Sequence, residues 1–557
     1  MARLPYMALA LAARVVLAAY CAGNTATDRT QWCDYSASTD YSTTVVDTGV
    51  VREYWLELTD VIMAPDGFSR PVIAVNGSIP GPTLFADWGD TVTVHVTNSL
   101  ATSLNGTSIH FHGIRQNYTN ENDGVVAITQ CPVAVGQSMT YTWKATQYGT
   151  SWYHSHIGLQ TWMGVFGGII INGPATANYD EDLGMLFLND WDHRTVDELY
   201  PIAQTVGPPT LDTGLINGTN VFGSDGDSSQ TGSRFNVSFT PGKSYRLRVL
   251  NAAIDTHFKF SIDNHTMTVI AADLVPIEPF TTTVLNIEIA QRYDIIVTAD
   301  QASTADNFWM RAIPQTSCSD IASPDNIKGI VYYTESPGLP TTTGHNFTDS
   351  CDDETTKLVP YVKHPVSSAD WTDLEQASVR QNSAGLFKWF LNSTSMLVDW
   401  AKPTLLQVLN GTTTFETDDA VIKFDKANQW VYLVIETAIP VPHPIHLHGH
   451  DFHVLAQGTG TYSASSVALS TTNPPRRDTA MLPASGYLVL AWETDNPGAW
   501  LMHCHIGWHT SEGFALQFIE RQSEMEAITN STRVNDVCAA WDTFGALKNI
   551  EQKDSGV

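Results

Sequence analysis

Apolar and polar residues alternate with a period of two along much of the chain. In residues 91–97 (TVTVHVT) valines are spaced two apart, and in residues 245–249 (YRLRV) apolar residues alternate with arginines. Because successive side chains of a β-strand point to opposite faces, both stretches are predicted to be half-buried strands. Turn signals such as Asn76-Gly77 and residues 80–82 (PGP) separate the strands. Helix-period patterns are rare, so we predict an all-β fold built from β-sandwiches.

The strand-like segments form three predicted units. The first unit spans residues 50–174, the second residues 175–340 and the third residues 371–557. Residues 341–370 are rich in proline, threonine, glycine and aspartate, which is typical of a linker. With 557 residues, the chain is long enough for several domains, each with its own core.

The charge of the chain limits its partners. Lys and Arg number 29 against 58 Asp and Glu, so the formal net charge is −29. Such a surface repels nucleic acid and anionic membranes. We therefore predict no nucleic-acid or membrane partner.

The N-terminal segment indicates export. Residues 1–20 combine Arg3 with an Ala/Leu/Val-rich stretch, typical of a secretory signal peptide, although Arg14 interrupts that stretch. No other stretch is long and apolar enough to cross a membrane. We expect a secreted, extracellular monomer that carries N-linked glycans. The chain has sequons at ten positions, which are Asn76, Asn105, Asn117, Asn217, Asn236, Asn264, Asn346, Asn392, Asn410 and Asn530.

The most informative segment is residues 503–514 (HCHIGWHTSEGF). If this segment leaves a β-strand, Cys504 faces one way while His503 and His505 face the other. A thiolate with nearby imidazoles, such as that of His509, is a ligand set that copper prefers. The sulfur would then serve one metal site and its two neighbours another. The alternative is a buried structural cysteine beside unrelated histidines.

Histidines recur in pairs with one residue between them. Random placement of 18 histidines would give roughly 0.6 such pairs. The pairs lie in the first and third units, so we predict a metal site at the interface between these units. The scattered histidines of the second unit are predicted to be ordinary partly buried side chains. The sequence has five such pairs: His110/His112, His154/His156, His446/His448, His448/His450 and His503/His505.

The seven cysteines become six once Cys504 is assigned to a metal. Six cysteines can close three disulfides in an oxidising compartment. Proximity along the sequence favours two pairs and leaves one long-range pair, and the connectivity is not otherwise deducible. These pairs are Cys21–Cys33, Cys318–Cys351 and Cys131–Cys538.

The segments HFHG, WYHSH, HPIHLHGH and HCHIGWHTSEGF resemble the four copper-binding motifs of the multicopper oxidases, most closely those of fungal, ascomycete-type laccases. The resemblance extends to NGSIPGPTL, DGVVAITQCPV, HTMTVIAADLVP, QRYDIIV and DNPGAWLMHCHIGWH, and so covers nearly the whole chain after its N-terminal segment. It implies three cupredoxin-like Greek-key β-sandwich domains. It also implies four copper ions per chain: one type 1 copper in the third domain, and a type 2 copper and two type 3 coppers between the first and third.

The resemblance assigns ligands position by position. His443, Cys504 and His509 would hold the type 1 copper, and His110 and His446 the type 2 copper. Six histidines would hold the type 3 pair: His112, His154, His156, His448, His503 and His505. Three further positions complete the comparison. Phe514 takes the axial position beside the type 1 copper, where a ring cannot coordinate and should raise the reduction potential. His450 and His453 fall outside the pattern.

The implied reaction is the one-electron oxidation of phenolic or aromatic amine donors, coupled to four-electron reduction of dioxygen to water. Lignin-derived phenols, melanin precursors and plant phenolics all fit the donor class. Asp212 aligns with the carboxylate of the family's donor pocket, which would accept the phenol proton. Asp123 aligns with an acid that relays protons to the cluster. Both residues are also typical of turns.

Residues 554–557 resemble the C-terminal plug of ascomycete laccases, whereas a free terminus by itself is expected to fray. Two alternative functions remain. A ferroxidase would need acidic residues around the type 1 histidines and is often membrane-anchored, and the sequence suggests neither. A blue electron carrier needs only Cys504, His443 and His509, which leaves the other eight histidines unexplained.

Overall fold

The computed structural model describes Cys21 and residues 23–334, 338–550 and 552–556. The predicted signal peptide, residues 1–20, lies outside the described residues. Strands dominate the described chain, which confirms the all-β prediction. The α-helices are Val196–Thr205, Thr404–Leu409, Gly507–Ser511, Gln522–Ile528 and Ser531–Lys548. Short 3-10 helices lie at Asn120–Asn122, Gln160–Met163, Pro324–Asn326 and Thr417–Asp419.

None of the helices in the described ranges combines the length and apolarity that a membrane span requires.

The first unit contains two four-stranded sheets, preceded by the ribbon of Gln31–Trp32 and Tyr35–Ser36. Val92, Val94 and Val96 are fully buried, as the alternation predicts, because they face the core shared by the two sheets. One sheet has the order Arg70–Val75, Val51–Met63, Thr91–Asn98, Ser138–Lys144. The other has the order Gly81–Asp87, Phe166–Asn172, Gly149–His154, His110–His112.

The second unit pairs a six-stranded sheet with a five-stranded sheet, and a ribbon of Val221–Phe222 and Thr231–Gly232 extends from it. The six-stranded order is Thr213–Ile216, Glu181–Trp191, Ser244–Asn251, Arg292–Thr298, Met267–Ala272, Val275–Thr282. The five-stranded order is Asn236–Ser238, Lys328–Tyr332, Asn307–Pro314, Phe258–Ile262, Leu285–Ile287.

The strand at 245–249 is buried on both faces, so the prediction of a half-buried strand is wrong. Arg248 donates to the Thr150 hydroxyl of the first unit at 2.7 Å and pairs with Asp182 at 2.7 Å. Arg246 pairs with Asp294. The polar face is covered by the first unit, and the arginines are buried there because each has a carboxylate partner.

The third unit has the same six-plus-five arrangement. The six-stranded order is Phe387–Leu391, Trp371–Gln381, Trp430–Thr437, Gly486–Glu493, Phe452–Thr459, Arg476–Arg477. The five-stranded order is Val421–Phe424, Ala515–Glu520, Gly498–Cys504, His443–Leu447, Thr479–Leu482. Val398–Asp399 pairs with Lys553–Asp554 near the C-terminus. Residues 338–370 contain no helix or strand, and the predicted domain boundaries stay predictions.

All three predicted disulfides are confirmed, and Cys504 is a buried free thiol. The bond between Cys131 and Cys538 ties the first unit to the last long helix, across a separation of 407 residues. The first and third units are therefore held together covalently around the histidine-bearing strands.

Candidate metal centres

Three side chains of the third unit form a compact sulfur–nitrogen cluster. The Nδ1 atoms of His443 and His509 lie 3.2 Å apart, and the Cys504 Sγ is 3.9 and 3.6 Å from them, respectively. Adjacent antiparallel strands supply His443 and Cys504, and the short helix Gly507–Ser511 supplies His509. Burial raises the pKa of the Cys504 thiol and lowers that of His509 to about 3. The imidazoles are therefore neutral, and a soft metal ion is the partner that stabilises the thiolate here.

Aromatic rings close one side of this cluster. The Phe514 ring centroid lies 5.1 Å from that of His443, and Trp389 stacks on Phe514 at 5.2 Å. Trp389 also packs on His509 at 4.3 Å. Phe514 is 1% exposed and offers no donor atom, so it shields the cluster without adding a ligand.

Eight histidines form a second cluster between the first and third units. The His112 and His446 rings stack at 3.8 Å, and the His110 and His448 centroids lie 4.0 Å apart. Each of these two contacts joins a histidine of the first unit to one of the third. The cluster consists of His110, His112, His154, His156, His446, His448, His503 and His505, all of them buried.

The hydrogen bonds of these rings favour metal binding. Six of the eight direct one ring nitrogen to a backbone carbonyl or a carboxylate: His110, His112, His154, His446, His448 and His503. The opposite nitrogen of His110, His112, His154 and His446 is buried without a hydrogen-bond partner, and both nitrogens of His505 are unpartnered. A bound metal would satisfy these nitrogens, because a ligating imidazole donates its other N–H to an oxygen acceptor. The residues therefore fit the metal cluster that the sequence predicts.

The alternation around Cys504 accounts for the two clusters. Cys504 contacts His443 and His509, whereas His503 and His505 face histidines of the first unit. Two sites with different donor atoms are thus built on consecutive residues of one strand end.

Asp123 lies between histidines of two units. Its carboxylate is 2.9 Å from His448 Nδ1 and 3.2 Å from His110 Nδ1, and its backbone carbonyl accepts from His110 at 2.7 Å. Gly124 follows with a φ of +81°, and a Cβ there would lie 1.8 Å from the Ile109 carbonyl oxygen. The Asp-Gly turn therefore also holds a carboxylate against the cluster, and the proton-relay role of Asp123 stays a prediction.

His450 and His453 make other contacts. His450 Nε2 is 3.3 Å from Glu520, and its Nδ1 donates to the His448 carbonyl at 3.0 Å. His453 packs against Trp430 with a centroid distance of 5.5 Å. Their interpretation as residues outside the ligand pattern stays a prediction.

A cavity of about 460 Å³ opens beside His509. Three carboxyl residues line it, Asp255, Asp320 and Glu512. Asp255 and Glu512 are nearly inaccessible to solvent, and burial raises the pKa of each to about 8, whereas Asp320 is exposed. The sequence gives no sign of acidic residues around the sulfur–nitrogen cluster, whereas the fold brings these carboxyls to the cavity beside His509. The cavity walls are largely apolar and aromatic, and include Val379, Phe387, Trp389, Ile439, Val441 and Trp508.

Among the described residues that line this cavity, Asp212 does not occur. Its carboxylate instead accepts from the backbone N–H of His193 at 2.9 Å, and His193 Nε2 is 2.8 Å from Asp66. The role of Asp212 as proton acceptor stays a prediction, whereas Asp255 is one of the carboxyls that the fold does bring to the cavity. Asp255 could not be found from the sequence because it follows the strand Ser244–Asn251 and belongs to no motif. Glu512 could have been found, because it lies only three residues after His509 in the same segment.

The C-terminal tail is docked and not frayed. The backbone carbonyl of Gly556 accepts from the Trp400 indole at 3.1 Å, and Ser555 is buried beside Lys388. A Cβ added to Gly556 would lie 3.2 Å from the Cα of Gly158, two residues after His156. Gly556 therefore lies close to the loop that carries one of the cluster histidines.

Comparison with known proteins gives the same family throughout. Multicopper oxidase family models match residues 57–176, 182–335 and 397–524. Laccase-2 of Botryotinia fuckeliana is 46% identical, over 100% of this chain and 96% of the relative. The crystal structure of a laccase from Botrytis aclada superposes with a TM-score of 0.91 at 45% identity, covering 96% of this chain and 100% of that one. Fet3p, described as a multicopper oxidase that functions in iron import, has a TM-score of 0.80 at 26% identity, covering 88% and 95%. The chain belongs to the multicopper oxidase family.

Proposed function

We propose that this chain is a laccase that oxidises phenolic or aromatic amine donors in one-electron steps and reduces dioxygen to water. The observation that carries the proposal is the shared strand end. Cys504 belongs to the sulfur–nitrogen cluster, while its covalent neighbours His503 and His505 belong to the eight-histidine cluster. Relatives named laccase, 46% and 49% identical over nearly the whole chain, support the same activity.

The ligand assignment follows the two donor sets. His443, Cys504 and His509 would hold a type 1 copper, and His110 and His446 a type 2 copper. The type 3 pair would be held by His112, His154, His156, His448, His503 and His505. Bound copper would supply the one-electron chemistry at the first cluster and the four-electron reduction of dioxygen at the second.

The cavity beside His509 would receive the donor. Its volume of about 460 Å³ suits a single-ring donor, and its aromatic walls can stack on the ring while the His509 edge remains close to it. A phenol has a pKa near 10 and must lose its proton when it is oxidised. Asp255 would orient the hydroxyl and, in its ionised form, accept that proton, because burial raises its pKa to about 8 and makes its carboxylate a stronger base than an exposed one.

Copper analysis with visible and spin-resonance spectra tests the proposal. We expect four copper ions per chain, a thiolate-to-copper charge-transfer band, and one dioxygen consumed for every four phenols oxidised. One copper per chain with no dioxygen uptake would identify an electron carrier and reject the laccase.

Oxidation of ferrous ion is the second candidate function. The carboxyls of Asp255 and Glu512 favour it because they offer oxygen ligands to a ferrous ion near His509. The apolar walls favour an aromatic donor instead. Comparing kcat/KM for ferrous ion and for a methoxyphenol separates the two, and a ratio that strongly favours ferrous ion would replace the laccase proposal.

We also propose that the chain is secreted as an N-glycosylated monomer. The three disulfides suit an oxidising compartment. Nine of the ten sequon asparagines are exposed, and Asn217 is half-buried. Treatment with an endoglycosidase should increase electrophoretic mobility, and light scattering should give the mass of one chain plus its glycans.

A further inference from the structure

Arg292 reaches from the second unit into the other two. It begins the strand Arg292–Thr298, and its guanidinium is fully buried. Both terminal nitrogens bind the Asp478 carboxylate of the third unit, at 2.7 and 2.6 Å. Its Nε donates to the Thr150 carbonyl of the first unit at 3.1 Å. One side chain therefore joins all three units at a single point.

Asp478 in turn contacts two histidines of the cluster. Its Oδ1 accepts from His112 Nε2 at 3.1 Å, and its backbone carbonyl accepts from His446 Nδ1 at 2.7 Å. These bonds leave His112 Nδ1 and His446 Nε2 buried and without a hydrogen-bond partner. Asp478 thus selects the tautomer and the orientation of one histidine from the first unit and one from the third.

The glycine after His112 is explained by the same pair. Gly113 has a φ of +73°, and a Cβ at this position would lie 2.3 Å from Asp478 Oδ2 and 2.6 Å from Arg292 Nη2. The Arg292–Asp478 pair therefore occupies the space that any other side chain would need. The HFHG segment must approach the pair this closely for His112 to reach the carboxylate.

We propose that Arg292 is a positioning residue for the eight-histidine cluster, acting through Asp478, so that the second unit contributes to metal binding without supplying a ligand. The inference rests on the proposed assignment of these histidines to copper. Arg292 fixes the carboxylate by two parallel hydrogen bonds, and a lysine at this position would provide the charge but only a single point of contact. The carboxylate could then rotate away from His112 without losing its counter-ion.

The test compares Arg292→Lys with Arg311→Lys. Arg311 lies in the same unit and makes a similar two-point contact with the buried Asp263, at 2.7 and 2.8 Å. We expect Arg292→Lys to raise the dissociation constant of the cluster copper about 10–100-fold in chelator competition. The spin-resonance signal of the type 2 copper should change, while the charge-transfer band of Cys504 stays as in the wild type. Arg311→Lys should change none of these.

A full copper content with an unchanged type 2 signal in Arg292→Lys would overturn the proposal. An equal loss of copper affinity in Arg311→Lys would also overturn it. If Arg292→Lys does not accumulate, Asp478→Asn gives the same test, since it keeps the shape but weakens the bonds to Arg292 and His112. For Asp478→Asn we expect the same changes as for Arg292→Lys, and the same observations would overturn the proposal. A wild-type chain that binds a single copper would instead reject the proposed function.

Discussion

Replacing Asp255 by asparagine should distinguish donors that lose a proton from donors that do not. Asp255 is one of two buried carboxyls in the cavity beside His509, and its pKa is raised to about 8, chiefly by burial and then by Asp190 and Asp320. A hydrogen bond from a phenol to this group is worth about 1.5–3 kcal/mol. Because about 1.4 kcal/mol corresponds to a tenfold change, kcat/KM for a phenol should fall roughly 10–100-fold.

The assay is oxygen uptake with a dimethoxyphenol and, in parallel, with ferrocyanide, which loses no proton. Ferrocyanide oxidation should be unchanged below about pH 8, where Asp255 is itself mostly protonated, and unchanged or faster above it, because the variant lacks the charge that would repel an anion. Asp212→Asn is the matched control, because Asp212 bonds to His193 and should alter neither donor more than about twofold. If Asp212→Asn reproduced the loss and Asp255→Asn did not, the assignment of the cavity carboxyl would be wrong.

The same variant has a predicted effect on stability. A carboxyl whose pKa rises from 3.8 unfolded to about 8 folded binds a proton more tightly in the folded state. Its contribution to stability is present below about pH 4 and is lost as pH rises from about 4 to 8. Asp255→Asn should therefore unfold at a higher temperature than wild type at pH 7 but not at pH 4. Equal shifts at both pH values would contradict the burial argument.

Further substitutions test the other parts of the site. Cys504→Ser should abolish the charge-transfer band and lower the copper content from four to three ions per chain, and loss of all copper would show that the two clusters are not independent. Phe514→Met should lower the type 1 reduction potential by adding a weak axial thioether ligand. A redox titration with no shift would show that residue 514 does not occupy the axial position. Deleting residues 554–557 should reduce turnover and leave the colour, because Gly556 lies near Gly158, two residues after His156, and the tail supplies none of the sulfur–nitrogen donors, whereas unchanged kinetics would reject a plug. Replacing Cys538 by serine should cost about 2–5 kcal/mol of stability in chemical denaturation, and no measurable cost would mean that Cys131 and Cys538 are not bonded.

Local sequence patterns are sufficient to predict most of the fold and the residues that form the two ligand clusters. The valines of 91–97 alternate because one face of their strand is core, and the structure buries them accordingly. The pairing of Cys131 with Cys538 is predicted by elimination, because proximity along the sequence pairs the other four cysteines once Cys504 is assigned to a metal. The strand at 245–249 was misjudged for a physical reason, since its arginine face is covered by the first unit. A contact between residues about 100 positions apart leaves no periodicity in either segment.

The carboxylates that orient the histidines are a second case of contacts that the sequence does not reveal. Asp123 contacts His448, 325 residues later in the chain, and Asp478 contacts His112, 366 residues earlier. Ligand spacing is local and therefore legible in a sequence, but the partner that selects a tautomer is fixed by the packing of separate sandwiches. Without a family resemblance, an aspartate in a turn is indistinguishable from any other turn residue. A sequence can therefore predict which residues bind a metal without revealing which residues orient them. For the same reason, the contribution of the second sandwich, which has no histidine pair, is visible only in the structure, where Arg292 contacts Asp478.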